Sequence, residues 1–288
     1  MNKNDRILIV GLGLMGGSYA RGLTKAGYHV MALDKNKESI DFALENGIIK
    51  EGSVNSDEEF ISKADYVIIT LYPTEIVKWI EANQNKLKEN AIITDICGVK
   101  ACIVEKAQNI LRKDLELIST HPMAGRELSG VKNSTETIFE GANYLIIKTD
   151  LNTERGFSFA NEIAEILKFK TISTVSVSEH DEMIAYLSQL THCIAISLMN
   201  GNDNDELCRF TGDSFRDLTR IANINENLWP ELFIDNKEKL IESIDVFVNE
   251  LNELRDDIKR DDYESLKKKM ISSTERRKKF NKIKDTNS

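Results

Sequence analysis

His121 is the residue whose type and position most directly suggest chemistry. It lies in STHPMAGRELSG (119–130), which overlaps the end of the apolar run LELIST (115–120). An imidazole titrates near neutral pH, so it can act as a general base. Ligands collect at the carboxyl ends of parallel strands, and Pro122 and Gly125 would hold this loop in a fixed turn. The alternative is a loop histidine bonded to the backbone.

The chain has three other histidines, and two of them fall in one helix-like segment, SEHDEMIAYLSQLTHCIA (178–195). His180 lies in its first turn, near a cap by Ser176 or Ser178, which favours a structural role. His192 and Ser188 are one turn apart on the same face. Such a pair is either a satisfied buried pair or part of a cleft, and the spacing leaves both open. The remaining histidine, in the second strand, is interpreted as structural.

Two arginines share one face of the segment TGDSFRDLTRIA (211–222). Arg216 and Arg220 are four positions apart, and a pair of guanidinium groups at this spacing forms a fork for carboxylates. Spacing alone slightly favours the alternative that two neighbouring aspartates neutralise them. The buried stripe of this helix is predicted to consist of Phe215, Leu218 and Ala222.

The opening of the chain contains the pattern Gly-x-Gly-x-x-Gly between a strand and a helix. Its predicted cofactor-binding residues are Gly11, Leu12, Gly13, Leu14, Met15, Gly16 and, after the second strand, Asp34. The glycines allow a tight turn, backbone approach to a pyrophosphate and close helix packing. A carboxylate at the second strand accepts hydrogen bonds from ribose hydroxyls and repels a 2′-phosphate, which predicts NAD. The alternatives are a turn without ligand and a signal peptide, and a continuing βαβ unit argues against the latter.

Apolar runs alternating with helical patterns predict a parallel sheet covered on both faces. The predicted strands are 6–10, 29–34, 65–70, 91–95, 115–120, 143–149 and 170–175, with helices at 14–26, 37–46, from 73, 99–112 and 153–168. Beyond 175 only amphipathic stretches follow, at 177–200, 213–223, 226–259 and 261–284. The fold class is therefore α/β, with a dinucleotide-binding domain over 1–174 and an all-helical domain over 175–288.

Composition limits the function classes. The formal net charge of −9 argues against a nucleic-acid partner, and the basic cluster at 267–279 is interpreted as a solvated helix face. No run has the length of a membrane helix. The four cysteines form no zinc-ligand pattern, so we expect no metal, and buried free thiols indicate a reducing, cytoplasmic location.

Three segments following the nucleotide fingerprint resemble, in order, the prephenate/arogenate dehydrogenase family of tyrosine biosynthesis. They are HPMAGRELSG (121–130), HDEMIAYLSQLTH (180–192) and FRDLTRIA (215–222). The resemblance covers essentially the whole chain. It implies a Rossmann domain followed by a helical dimerisation domain, hence a homodimer. It also implies NAD-dependent oxidative decarboxylation of prephenate to 4-hydroxyphenylpyruvate. Because the first predicted strand starts at about residue 6 and the chain ends after the helical stretches, we expect neither the N-terminal chorismate mutase nor the C-terminal sensing domain of some members.

The resemblance also assigns residue roles. The histidine of the family's HPxAG motif falls on His121, which would take the proton of the ring C4 hydroxyl as hydride leaves for the nicotinamide. The arginine of the DFTR pattern falls on Arg220, which would bind a substrate carboxylate, and the basic residue one turn earlier falls on Arg216. The last histidine of the SHLPH-like segment falls on His192, beside the substrate side chain.

Two departures from the family pattern stand out. In DICGVK (95–100), Gly98 replaces the serine whose hydroxyl supports the catalytic histidine, so another group must give that support if it exists. In SQLTH, Gln189 and Thr191 replace a histidine and a proline.

Three other functions stay open. The substrate could be arogenate. A 3-hydroxyacid dehydrogenase is disfavoured, since that class typically uses a lysine and none occurs between Lys170 and Lys237. A non-catalytic protein that senses NAD or NADH is the third.

Overall fold

Six strands form a parallel sheet in the N-terminal half of the chain. The computed structural model describes residues 1–126 and 128–280. The strands are β1 (Arg6–Val10), β2 (His29–Leu33), β3 (Glu51–Ser53), β4 (Tyr66–Ile69), β5 (Ile92–Asp95) and β6 (Glu116–Leu117), in the order β3-β2-β1-β4-β5-β6. The strand order reverses between β1 and β4, which opens a crevice at the carboxyl end of β1. The fingerprint follows that strand directly.

Helices cover both faces of this sheet, as the continuous apolar runs predicted. They are α1 (Leu14–Lys25), α2 (Lys37–Glu45), α3 (Glu58–Ile61), α4 (Pro73–Asn83), α5 (Ala101–Ile110) and α6 (Glu154–Ile166). Alternate residues of each strand point to opposite faces. Ile7 and Ile9 therefore join the core beneath α1 and α6, whereas Leu8 and Val10 join the core beneath α4 and α5.

The prediction of a single parallel sheet was wrong in one respect, because a second sheet of three strands follows. It consists of β7 (Ser119–Pro122), β8 (Asn143–Lys148) and β9 (Thr171–Ser176), with β7 and β8 antiparallel and β8 and β9 parallel. The run 115–120, predicted as one strand, divides at Ile118 between β6 and β7. The first part pairs with β5 and the second with β8. Strand β3 was not predicted, since Glu51-Gly52-Ser53 contains no apolar residue.

The helical region begins without a linker, as expected, because β9 ends at Ser176 and the next helix starts at Val177. Its elements are α7 (Val177–Ile184), a π-helical segment at Ala185–Gln189, α8 (Leu190–Asn200), α9 (Asp213–Thr219), α10 (Trp229–Asp235) and α11 (Lys237–Lys259), with 3-10 turns at 205–210 and 220–222. From 177 to 280 the structure describes helices and turns and no strand.

The predicted stretch 226–259 is two helices, because Asn236 leaves the helical conformation at φ −121° and ψ 26°. Its side-chain amide donates to the carbonyl oxygen of Asp181 at 2.9 Å and to Oε1 of Gln189 at 2.8 Å. These buried hydrogen bonds compensate for the interrupted helix and tie α10 to α7 and to the π-helical segment.

Contacts divide the chain into a unit of residues 1–240 and a unit of residues 241–288. The predicted domain boundary at 174/175 stays a prediction. The second unit contains the end of α11 and α12 (Tyr263–Lys278), and residues 281–284 of the predicted last helix lie outside the described residues. In it Asp257 accepts from Lys269, Ser265 and Arg260 at 2.7–2.8 Å. Lys267 and Lys268 are exposed, in keeping with a solvated face.

Two predictions about burial were wrong. Of the four cysteines only Cys97 is buried, whereas Cys102 and Cys193 are half-buried and Cys208 is exposed in the 3-10 turn at 205–210. The stripe on α9 is not buried within the chain, since Leu218 is 53% exposed. A seven-residue surface helix needs another surface to cover such a face. Among the residues described, no helix is long and apolar enough to cross a membrane.

Candidate active site

The fingerprint loop has the geometry that each glycine requires. Gly11 adopts φ +93°, in the left-handed region that favours glycine. A Cβ on Gly16 would lie 2.0 Å from the carbonyl oxygen of Gly11, so only glycine allows this contact between helix and loop. A Cβ on Gly13 would meet nothing within 4 Å. The loop therefore leaves open space at Gly13, where a ligand can approach the backbone.

Helix α1 begins in that space. Its N-cap is Gly13, which has no side chain to cap the first turn, and amide groups at a helix N-terminus attract anions. Asp34 follows β2 and is held from both sides: Oδ2 accepts from the amide of Leu12 at 2.5 Å and Oδ1 from that of Asn36 at 2.8 Å. The open loop, the helix N-terminus and the fixed carboxylate together fit a dinucleotide.

A buried ion pair lies at the carboxyl end of β5. Nζ of Lys100 donates to Oδ2 of Asp95 at 2.6 Å and to the carbonyl oxygen of Thr120 at 2.8 Å, and both charged side chains are 0% exposed. The carboxylate also accepts from Ser119 Oγ and, at 3.0 Å, from the amide of Cys97. A buried charge is tolerated only when it is paired and hydrogen-bonded, as it is here. The pair fixes β7 beside β5 immediately before His121.

His121 lies in β7, opposite Leu145 of β8, and is half-buried. Its Nδ1 is 2.8 Å from Nε2 of His180, and the ring centroids are 5.0 Å apart. Nδ1 of His180 is in turn 2.6 Å from Oδ1 of Asp181. Asp181 accepts from the backbone amides of Lys100 at 2.9 Å and Ala101 at 2.8 Å, at the start of α5. A continuous chain of hydrogen bonds thus joins His121 to the helix N-terminus.

Burial is the main influence on both imidazoles. It lowers the pKa of His121 well below its ordinary value of 6.5, and the neighbouring His180 and Lys100 add to the effect. Burial also lowers the pKa of His180, although the hydrogen bond to Asp181 acts in the opposite direction. Both rings are therefore neutral near pH 7, and a neutral His121 is in the state that a general base requires.

Gly98 lies beside this base. A Cβ there would be 3.9 Å from Cε1 of His121 and 3.5 Å from Cδ2 of Leu232, which are ordinary contact distances. Space for a serine Cβ is therefore present, and sterics do not explain the glycine. The hydrogen bond to His121 that the structure does show comes from His180.

His192 lies on α8, with its ring 3.7 Å from that of Trp229 between centroids. Its Nδ1 is 2.9 Å from the carbonyl oxygen of Ser188. His192 and Ser188 are therefore in contact, but through the backbone of the serine and not through its hydroxyl. The ring is half-buried. These contacts fix the orientation of the imidazole.

The two arginines lie at the end of α9. Helix α9 ends at Thr219, so Arg216 is helical and Arg220 opens the 3-10 turn at 220–222, which packs against α8. Arg216 donates to the carbonyl oxygen of Thr211 at 2.6 Å and lies 3.6 Å from Asp213. Both arginines are exposed in the single chain. The charge of Arg216 is thus partly neutralised by Asp213, as the alternative interpretation of the spacing predicted.

Sequence reasoning missed the groups behind His121. His180 was interpreted as structural, and Asp181, Lys100 and Asp95 were not considered. Of the two serines offered as caps, Ser176 caps α7, with its Oγ accepting from the amide of Glu179 at 3.2 Å. The sequence did contain one signal for these groups. His180 and Asp181 are adjacent in the first turn of a helix that directly follows a strand.

Comparisons with known families match most of the chain. Residues 19–173 match the model of the prephenate dehydrogenase nucleotide-binding domain, and residues 176–272 match that of the prephenate dehydrogenase dimerization domain. The first match begins after the fingerprint at 11–16, so the fingerprint is an additional observation. Together with the topology, the matches confirm the predicted nucleotide-binding domain followed by a helical one.

Individual relatives agree with the family models. Prephenate dehydrogenase of Bacillus subtilis is 29% identical over 274 residues, 91% of this chain and 72% of the relative. Cyclohexadienyl dehydrogenase of Zymomonas mobilis is 29% identical over 264 residues, 86% of this chain and 87% of the relative. The structure of Aquifex aeolicus prephenate dehydrogenase with hydroxyphenyl propionate and NAD+ superimposes with a TM-score of 0.88 at 29% identity, covering 96% of this chain and 98% of that one. The bound NAD+ of that relative supports the predicted cofactor.

Proposed function

Because this chain belongs to the prephenate dehydrogenase family, we propose that it oxidises and decarboxylates prephenate to 4-hydroxyphenylpyruvate with NAD. The observation that carries this proposal is His121, a half-buried imidazole in β7 that is held through Nδ1 by His180 and whose pKa is lowered well below 6.5 by burial.

The cofactor would lie along the loop from Gly11 to Gly16, with its pyrophosphate at the N-terminus of α1. Asp34 would accept hydrogen bonds from the adenosine ribose, since its carboxylate is already oriented by two amides. A carboxylate at this position disfavours a 2′-phosphate, which supports NAD over NADP. When bound, this cofactor supplies the acceptor for hydride from ring C4.

His121 would take the proton of the C4 hydroxyl, so that the oxygen gains electron density as the ring is oxidised. The ring carboxylate then leaves as CO2 and the ring becomes aromatic, which makes the reaction effectively irreversible. The product phenol carries one hydroxyl proton. Balance therefore requires His121 to return its proton to the C4 oxygen, and the base is restored without external acid.

Prephenate carries two carboxylates, so a site for it needs cationic donors. We assign Arg220 to a substrate carboxylate and Arg216 to the same end of the pocket, since a guanidinium binds a carboxylate through paired hydrogen bonds. His192 lies on α8, the helix against which the turn at 220–222 packs, and would lie beside the side chain of the substrate. Its ring is fixed by Trp229 and Ser188, which suits a contact that selects by shape.

Arogenate is the alternative substrate, because it differs from prephenate only in carrying an amino group in place of the side-chain ketone. The ring chemistry at His121 would be the same. The two substrates are distinguished by comparing their kcat/KM values under identical conditions.

The experiment that tests the catalytic role is the His121→Ala variant. We expect kcat to fall by about 10²- to 10⁴-fold, the usual contribution of a general base, with NAD affinity within twofold. NADH formation and a separate NAD titration measure the two quantities. A variant that turns over at the wild-type rate would remove His121 from the mechanism, and wild-type NAD binding without turnover would favour the sensing alternative.

We further propose that the protein is a homodimer in the cytoplasm. The helical region exposes large apolar side chains, among them Phe210 at 81% and Leu218 at 53%, within the range that matches a dimerization domain. A second copy covering them would remove apolar area from water. The free cysteines fit a reducing compartment. Sedimentation of the wild type and of Phe210→Asp tests the dimer, which the variant should weaken.

A further inference from the structure

We propose that His180 and Asp181 are positioning residues that fix the tautomer of His121, in place of the hydroxyl that Gly98 cannot supply. This inference rests on the proposed function. It assigns a role in the reaction to a pair on α7, outside the strand that carries the base.

The order of hydrogen bonds determines where each proton lies. The carboxylate of Asp181 only accepts, so Nδ1 of His180, at 2.6 Å, must donate to it. In a neutral ring the other nitrogen is then bare, and Nε2 of His180 accepts from Nδ1 of His121 at 2.8 Å. The proton of neutral His121 thus lies on Nδ1, and its Nε2 carries the lone pair. Free neutral imidazole has no such constraint.

Asp181 is itself held in place. Its two oxygens accept from consecutive amides, those of Lys100 and Ala101, at the N-terminus of α5. Its backbone carbonyl accepts from Asn236. A carboxylate held this way cannot rotate away from His180, and the amides of a helix N-terminus favour its negative charge. The orientation of the base therefore originates in the packing of α5 against α7.

The same chain stabilises the protonated base. When Nε2 of His121 takes the substrate proton, the imidazolium keeps donating from Nδ1 to His180, and Nδ1 of His180 keeps donating its own proton to the Asp181 carboxylate. The positive charge is thereby drawn toward a fixed negative charge without moving any heavy atom. A carboxylate behind a catalytic histidine acts in this way in triads, where it orients the ring and remains ionised.

Gly98 makes the dependence on this pair testable. A serine Cβ at 98 would lie 3.9 Å from Cε1 of His121, the carbon between its two ring nitrogens, so the hydroxyl would stand beside the ring that His180 holds through Nδ1. Since the ring already has a fixed partner, we expect Gly98→Ser alone to change kcat by less than about threefold. In the His180→Gln background the added hydroxyl should recover part of the loss, because the two supports then replace each other.

The decisive variant is His180→Gln. We expect kcat to fall roughly 10- to 100-fold, with KM for prephenate and the NAD dissociation constant within about threefold, because only the base is affected. His29→Gln is the matched control: His29 also bonds a carboxylate, that of Glu51 at 2.8 Å, but at the start of β2. It should keep the wild-type kcat. A His180→Gln variant with unchanged kcat, or one altered only in KM, would overturn the inference.

Nitrogen NMR of the wild-type imidazoles gives a test that needs neither a variant nor turnover. With four histidines in the chain, the spectra are assignable by substitution. We expect Nδ1 protonated and Nε2 bare in both His121 and His180 at pH 7. The opposite tautomer, or a mixture of tautomers that exchange rapidly, would refute the proposed order of hydrogen bonds from His121 through His180 to Asp181. Absence of prephenate oxidation by the wild type would refute the proposed function instead, and the NMR result would still decide the hydrogen-bond order.

Discussion

Lys100→Met tests whether the buried ion pair between Lys100 and Asp95 stabilises the folded protein. The lysine and its partner Asp95 are both 0% exposed, and the lysine also donates to the carbonyl oxygen of Thr120. Methionine keeps most of the apolar stem and removes the charge. Asp95 then retains its contacts with Ser119 and the Cys97 amide but loses its ionic contact with Lys100 at 2.6 Å. A buried carboxylate without its cation is costly.

Breaking one side of a buried pair typically lowers the free energy of unfolding by 3–5 kcal/mol. Because Asp95 keeps two hydrogen-bond donors, we expect the lower part of that range, about 3 kcal/mol. Urea unfolding followed by circular dichroism measures the loss as a shift of the midpoint at constant slope. Such a change is a large part of the 5–15 kcal/mol that usually stabilises a protein.

Two further variants sharpen this test. Lys37→Met removes an exposed pair, with Asp41 one turn away at 2.7 Å, and should cost less than about 1 kcal/mol. Removing both buried partners, in Asp95→Leu/Lys100→Met, should destabilise less than Lys100→Met alone, since no unpaired charge remains. If Lys100→Met unfolds within 1 kcal/mol of the wild type, the reasoning about the pair is refuted.

The remaining predictions concern the site itself. Arg220→Ala should raise KM for prephenate by about 10- to 150-fold in steady-state kinetics, from the loss of a charge-assisted bond worth roughly 1.5–3 kcal/mol; an unchanged KM would leave Arg220 a structural residue. Gly16→Ala should lower the melting temperature, because its Cβ would be 2.0 Å from a carbonyl oxygen, whereas Gly13→Ala should keep it and weaken NAD binding; equal melting temperatures would contradict this contrast. Since burial lowers the pKa of His121 well below 6.5, kcat/KM should stay constant as the pH falls through 6.5 and decline only below it; an acid limb at or above 6.5 would show that the pKa of the base is not lowered.

The sequence was sufficient where a pattern has one physical solution. Gly-x-Gly-x-x-Gly between an apolar run and a helix fits few structures other than the observed turn, with Gly11 at φ +93° and Gly16 against its carbonyl. Strands β1, β2, β4 and β5 appear where they were predicted, because buried parallel strands need continuous apolar runs. Strand β3 has no such run, so local sequence does not distinguish it from a loop.

Long-range pairing was the part that sequence did not determine. The run 115–120 reads as one strand, and nothing in its residues shows that β7 leaves the first sheet to pair with β8. The prediction that the apolar stripe of α9 is buried failed for the same reason, since burial also depends on long-range contacts. Apolar periodicity predicts that Leu218 is covered, but not whether the covering surface belongs to the same chain.

The sequence singled out His121 as a candidate base, but it did not single out the residues that the structure places behind this histidine. His121 stands out because it follows a strand in a loop with Pro122. His180 does not, because a first-turn histidine beside a cap has an ordinary structural explanation. Its role depends on the distance to His121, 59 positions earlier in the chain, and on two amides of α5 that orient Asp181. Such a chain of contacts exists only in the folded molecule.

The most direct test of the central claim is NADH formation by the purified protein, supplied with NAD and either prephenate or arogenate. We predict turnover of prephenate with release of CO2, and a higher kcat/KM for prephenate than for arogenate. Preferential oxidation of arogenate would correct the substrate and leave the chemistry at His121 in place. Oxidation of neither substrate by a protein that binds NAD would contradict the proposed function.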